Sequence, residues 1–109
     1  MLVLNARLTV APEARADFLA AIAALVAATR REPDCLGFAC WEDPWSPGAF
    51  AVFGEWRDRA ALVDHERSEH VAAFQHDASA LVRSRQPTLV YEVGAIHALG
   101  AVVDDPPSP

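Results

Sequence analysis

Apolar and polar residues alternate through the first ten positions, which predicts a half-buried strand. Leu2, Leu4, Ala6, Leu8 and Val10 share one face, and Val3, Asn5, Arg7 and Thr9 share the other. The period then changes. Pro12 stands where a helix accepts its first residue without losing a hydrogen bond, and Glu13 suits the first turn. Phe18, Ile22, Leu25 and Val26 recur at helical spacing; Arg30 and Arg31 suit the negative end, and Pro33 forbids continuation. Residues 35–42 predict a second strand, with Leu36, Phe38, Cys40 and Glu42 opposite Cys35, Gly37, Ala39 and Trp41. A turn cluster over 43–48 leads to a third strand over 50–56, so that the two form a hairpin. Phe50, Val52, Gly54 and Trp56 lie on one of its faces, Ala51, Phe53 and Glu55 on the other.

Asp58 is a candidate N-cap for a short helix through Leu62, Val63 and His65. Ser68 is a candidate cap for another that carries Val71, Phe74 and Leu81. Strand-forming residues return between Gln86 and His97, at Val90, Tyr91, Val93 and Ile96. The order β-α-β-β-α-β predicts an α+β fold, the ferredoxin-like antiparallel sheet with helices on one face. The other sheet face still carries Val3, Phe53, a cysteine and a tryptophan or a phenylalanine. Such a face needs cover, and a second copy of the chain is the simplest cover, so a homodimer is expected. The folded domain is expected over 1–98, and the polar run that closes 99–109 is expected to be a flexible tail.

Composition narrows the picture. The chain has 109 residues, one domain's worth, and 52% are apolar. Its net charge is −6, and none of its basic residues is lysine, which argues against a nucleic-acid partner. The longest apolar stretch, 18–28, is too short to span a bilayer, so no membrane partner is expected. The start of the chain has no leader pattern. Cys35 and Cys40 are too few for a disulfide scaffold, and their odd offset predicts side chains on opposite faces of one strand. A cytoplasmic location follows as the expectation.

Several short stretches resemble one family. Glu32-Pro33 is followed by Asp34-Cys35-Leu36-Gly37-Phe38, then by Glu55-Trp56, then by Ala60-Ala61-Leu62, His65, Ser68, His70 and Phe74. In this order the chain, from Leu2 to about Val93, resembles the antibiotic biosynthesis monooxygenases, ferredoxin-like proteins that form a dimeric α+β barrel. The resemblance implies oxidation of a small quinol or aromatic polyphenol by dioxygen with no cofactor. The electrons come from the deprotonated substrate itself. A haem-degrading branch of the family uses three residues that fall here on Ala6, His65 and Gln75, so that chemistry is not implied. A branch acting on aromatic polyketides uses the strand-3 tryptophan, matched by Trp56, with partners that fall on Val52 and Leu62 and do not match.

The expected catalytic residues are Trp56, as an aromatic platform with a free indole N–H, and His65, as the base that takes a phenolic proton. Phe18, Ile22, Val52, His70, Phe74 and Tyr91 are the expected substrate-binding residues. No metal site is expected: five residues apart on one helix, His65 and His70 would face roughly 140° away from each other. Two other functions use the same scaffold: a non-oxidative isomerase or decarboxylase, and a binding or structural dimer whose pocket is filled by side chains.

Overall fold

The alternating first strand becomes the centre of the sheet. In the computed structural model, which describes residues 1–99, β1 (Leu2–Val10) pairs antiparallel with β3 (Ala49–Trp56), from Leu2 opposite Trp56 to Thr9 opposite Ala49. β2 (Cys35–Glu42) pairs with the far side of β3, which completes the predicted hairpin. The free edge of β1 takes two short strands, β4 (Val82–Arg85) and β5 (Leu89–Glu92), which run antiparallel to it one after the other. The sheet order is therefore β2-β3-β1 followed by β4 and β5, the split βαβ arrangement.

The last strand thus begins earlier than its composition suggests. Val82-Arg83-Ser84-Arg85 has little apolar character, but Thr9 and Ser84 hydroxyls meet at 2.6 Å and Gln86 N–H donates to Arg7 O at 3.0 Å. Pro87 has no N–H to offer a ladder, and pairing resumes only at Leu89. Of the apolar residues expected in this strand, Ile96 lies beyond β5 and is exposed. Apart from Leu99, the tail expected over 99–109 lies outside the described residues.

The first helix also starts late. Pro12–Ala14 forms a 3₁₀ turn, and α1 (Arg15–Thr29) follows it. The helix buries Phe18, Ile22, Leu25 and Thr29 at alternating spacings of four and three, one face of an α-helix. That face meets Leu2, Val10, Phe38, Phe50, Val52 and Trp56 from the sheet. Arg15 and Glu42 tie the start of α1 to the hairpin, with Arg15 also donating from Nε to Glu42 at 3.1 Å. No helix among the described residues is long and apolar enough to cross a membrane.

One register shift changes which residues share a face. A bulge between Cys35 and Gly37 leaves Leu36 without a partner and sets Cys35 opposite Trp56, while Cys40 lies opposite Val52. Directly opposed residues in an antiparallel pair point the same way. Both cysteines therefore face the helices, not opposite sides as strict alternation predicts. They remain free thiols, because about four residues of strand, roughly 13 Å, separate their sites. The open face accordingly carries no cysteine. It carries Val3, Phe53, Trp41 and, opposite Val3, Tyr91.

Thr29 is fully buried, and its hydroxyl has no hydrogen-bond partner among the described residues. An unpaired buried hydroxyl costs about 1–3 kcal/mol. Thr29→Val keeps the shape and removes that cost. Chemical denaturation is expected to show the variant more stable by about 1 kcal/mol; equal or lower stability would mean that the hydroxyl has a partner in solution.

Candidate functional site

Glu32 lies in the loop between α1 and β2, and three local features place it. The last turn of α1 closes by bonds from Arg30, Arg31 and Glu32 N–H to Val26, Ala28 and Thr29 carbonyls. Pro33 stops the helix, and Cys35 N–H bonds back to Glu32 O at 3.2 Å. Arg57 N–H donates to Asp34 O at 3.0 Å, and the two side chains pair at 3.1 Å. The loop is thereby stitched to the end of β3, with Glu32 beside Trp56.

Trp56 is the last residue of β3 and is fully buried. Its ring lies back over its own strand at Gly54, where an added Cβ would overlap the far edge of the indole and come within 2.9 Å of Phe38. The indole Nε1–H donates to Glu32 Oε1 at 3.0 Å. The N–H expected to be free for substrate is therefore taken, and the buried ring offers no open face for stacking.

The two histidines come from different helices. Asp58 caps α2 (Arg59–Glu66) by accepting from Ala61 N–H at 2.9 Å, as its position predicts. Ser68 caps α3 (Glu69–Ala78) by accepting from Val71 N–H at 3.3 Å, and its hydroxyl donates to His65 O at 2.6 Å. Ser68 thus locks a corner between the helices. His65 sits at the end of α2 and His70 at the start of α3, and the corner turns them toward each other, with ring centroids 5.8 Å apart. The 140° separation expected of a continuous helix does not arise, since the helix breaks between them.

Both imidazoles end on one oxygen. His65 Nδ1 lies 2.7 Å and His70 Nε2 lies 2.6 Å from Glu32 Oε2. Burial pushes the Glu32 carboxyl up, but hydrogen bonds from Trp56, His65 and His70 pull it the other way and hold it below its ordinary value. The group is therefore an ionised carboxylate, which can only accept, so both imidazole nitrogens carry their protons toward it. In the neutral rings this leaves lone pairs on His65 Nε2 and His70 Nδ1. The His65 ring is packed between Trp56 at 4.6 Å and Phe38 at 5.7 Å, and its side chain is 7% exposed; that of His70 is 25% exposed. A cleft of about 100 Å³ opens over the group, with Pro33, Asp34, Ala61, Asp64 and Ser68 on its other walls.

The other expected site residues lie elsewhere. Phe18, Ile22 and Val52 are buried in the core, and Phe18 packs on Phe50 at 4.7 Å and on Phe74 at 6.1 Å. Rings fill the space between helices and sheet, where the pocket was expected; the cleft opens at its edge. Tyr91 is half-exposed on the open sheet face. Neither cysteine supplies a thiolate at neutral pH: burial raises both, Cys40 to about 11. The residue that the sequence pattern does not single out is Glu32, which stands in the Glu-Pro pair that ends the first helix. A carboxylate placed by proline between a helix and a buried strand was its signal.

A ferredoxin-like α+β domain with a carboxylate-held histidine pair at a helix junction is thus the class of molecule that fold and site define. The chain belongs to the antibiotic biosynthesis monooxygenase family, whose model matches residues 1–77. It is 31% identical over 74 residues to YcnE of Bacillus subtilis (strain 168), a protein provisionally named a monooxygenase; the match covers 68% of this chain and 78% of YcnE. A crystal structure of an antibiotic biosynthesis monooxygenase superposes with a TM-score of 0.76 at 35% identity, covering 89% of this chain and 100% of that one. The structure of PA3566 from Pseudomonas aeruginosa superposes with a TM-score of 0.77 at 31% identity, covering 86% and 94%.

The lowered Glu32 value has a consequence for stability. A carboxyl whose folded value lies below its unfolded one stabilises the fold above the unfolded value, 4.5, and loses that contribution as pH falls through the folded value. Charge-assisted hydrogen bonds contribute about 1.5–3 kcal/mol, so Glu32→Gln is expected to be less stable by about that much at neutral pH. Urea unfolding of both proteins on acidification should show the gap narrowing below pH 4.5. A gap that stays constant there would show that the charge contributes nothing.

Proposed function

We propose that this chain is a monooxygenase that oxidises a small electron-rich phenol or quinol with dioxygen, drawing the electrons from the substrate and using no cofactor. The observation that carries this reading is the Glu32 carboxylate, which takes one N–H from each of two imidazoles and so directs their lone pairs away from itself. A carboxylate that holds a histidine in one tautomer makes it a ready general base. Family membership supplies the reaction class. His70, the more exposed ring, meets the substrate through Nδ1; His65 and Trp56, buried beneath it, hold Glu32 in place.

The reaction balances without a further reagent. His70 takes the phenolic proton, and the phenolate passes electrons to dioxygen as a C–O bond forms at a ring carbon bearing hydrogen. The peroxide regains the proton from the imidazolium. Loss of that C–H proton and of hydroxide, together one water, breaks the O–O bond and leaves a quinone. One oxygen atom enters the product and the other leaves in water. At about 100 Å³ the cleft is smaller than the roughly 150 Å³ apolar cavity that takes one benzene, so it has no room for a fused polycycle and a single ring enters it only in part. We also take the protein to act in the cytoplasm as a homodimer joined through the open sheet face. The exposed Trp41, Leu89 and Tyr91 support the interface.

Oxygen uptake by metal-free protein with monocyclic quinols tests the reading. The wild type should exceed autoxidation, and His70→Ala should lower kcat/KM by roughly 10²–10⁴-fold. His65→Ala should lose less. Uptake equal to buffer across the panel, or turnover of the substrate under anoxic conditions, would overturn it, the second in favour of isomerase or decarboxylase chemistry.

A further inference from the structure

Glu32 Oε2, His65 Nδ1 and His70 Nε2 lie within 4.8 Å of one another. They form two imidazoles and one carboxylate around one point, the donor set that borderline-soft first-row divalent ions prefer. We propose that these three side chains are a binding site for a divalent transition-metal ion of the zinc class, and that the ion, once bound, blocks the base. The second half rests on the reading under Proposed function; the first does not.

Four observations carry the site. First, a tetrahedral ion with bonds of about 2.0–2.1 Å sets its ligand atoms roughly 3.3 Å apart. The two N···O separations are 2.7 and 2.6 Å, so each imidazole retreats from the carboxylate by about 0.6–0.7 Å to admit the ion. The two protons now shared with Oε2 move to the other ring nitrogens, and the ion takes their place. Second, the carboxylate is already oriented. Trp56 Nε1–H holds Oε1 at 3.0 Å, which leaves Oε2 as a single fixed ligand with its outer support in place.

Third, the three ligands come from three separately anchored pieces of backbone. The stitched α1–β2 loop brings Glu32, the end of α2 brings His65, and the Ser68-capped start of α3 brings His70. A preformed set loses little freedom on binding. Fourth, the point is reachable and electronegative. The cleft opens directly over it, and Asp34 and Asp64 line the same walls. A fourth position remains on the cleft side for water or a small anion.

Occupation has a definite effect on the proposed chemistry. With the ion on Nε2, the ring proton of His70 sits on Nδ1, so the nitrogen assigned to the substrate proton no longer has a lone pair to take it. The ion also takes up the floor of the cleft. Metal and turnover therefore exclude each other.

Metal-free full-length protein is titrated with Co²⁺, read by its visible d–d absorption, and with Zn²⁺ by calorimetry. One ion should bind per chain, with Mg²⁺ silent because it prefers oxygen ligands. His65→Ala and His70→Ala should each weaken Zn²⁺ about a hundredfold, the upper end of what outer-shell losses alone produce. His76→Ala, an exposed histidine on α3, should leave binding unchanged. Equal affinity in wild type and both ligand variants, equal response to Mg²⁺, or no Co²⁺ spectrum at about a hundredfold excess would overturn the site. Circular dichroism of the variants separates lost ligands from lost fold. Zn²⁺ at saturation should abolish oxygen uptake; undiminished uptake with the ion bound would overturn the block. Failure of the oxygenase reading itself would show as absent uptake before any metal is added, with the binding results intact.

Discussion

The carboxylate of Glu32 is the constraint around which this end of the molecule is built. Its side chain is only 15% exposed, and an ionised group in that setting needs its lone pairs satisfied. Three N–H donors from three elements do so: Trp56 at the end of β3, His65 at the end of α2 and His70 at the start of α3. Much of the local structure serves that convergence. Gly54 clears space for the indole to lie back along its strand, Pro33 stops α1 where the carboxylate must turn inward, and Ser68 breaks the helix that would otherwise send the two imidazoles apart. Removing the charge leaves the three donors aimed at nothing as strong.

Much of the fold was legible in the sequence because it depends on local periodicity. The first strand, the hairpin and both short-helix caps stand where alternation, turn residues and Asp58 and Ser68 predict them. What local pattern could not supply was register. One unpaired residue, Leu36, reverses the parity of everything before it in β2, and brings Cys35 to the helix side. The polar strand β4 likewise owes its existence to the waiting edge of β1 rather than to its own composition.

The site was half legible, for a related reason. His65, His70 and Trp56 are recognisable by residue type and by resemblance to the family. Their relation to one another depends on the helix break at Ser68, and a cap residue signals where a helix starts but not the angle at which it leaves its neighbour. Glu32 is separated by 33 residues from His65 and by 38 from His70, and no periodicity links positions so distant. The core residues Phe18, Ile22 and Val52 were expected at a pocket between sheet and helices. Aromatic packing closes that space, and the polar cleft opens instead where the loop, strand end and helix corner meet. Both proposed chemistries draw on this one cluster, proton transfer with the imidazole protons directed at the carboxylate and metal ligation with an ion in place of those protons.

The most direct test of this account is the tautomeric state of the two imidazoles, read from ¹⁵N chemical shifts and long-range couplings in metal-free protein at a pH where both rings are neutral. The carboxylate requires the proton on Nδ1 of His65 and on Nε2 of His70, with the His65 preference lost in Glu32→Ala. A proton on Nε2 of His65 in the wild type, or spectra unchanged by Glu32→Ala, would contradict the central role of Glu32.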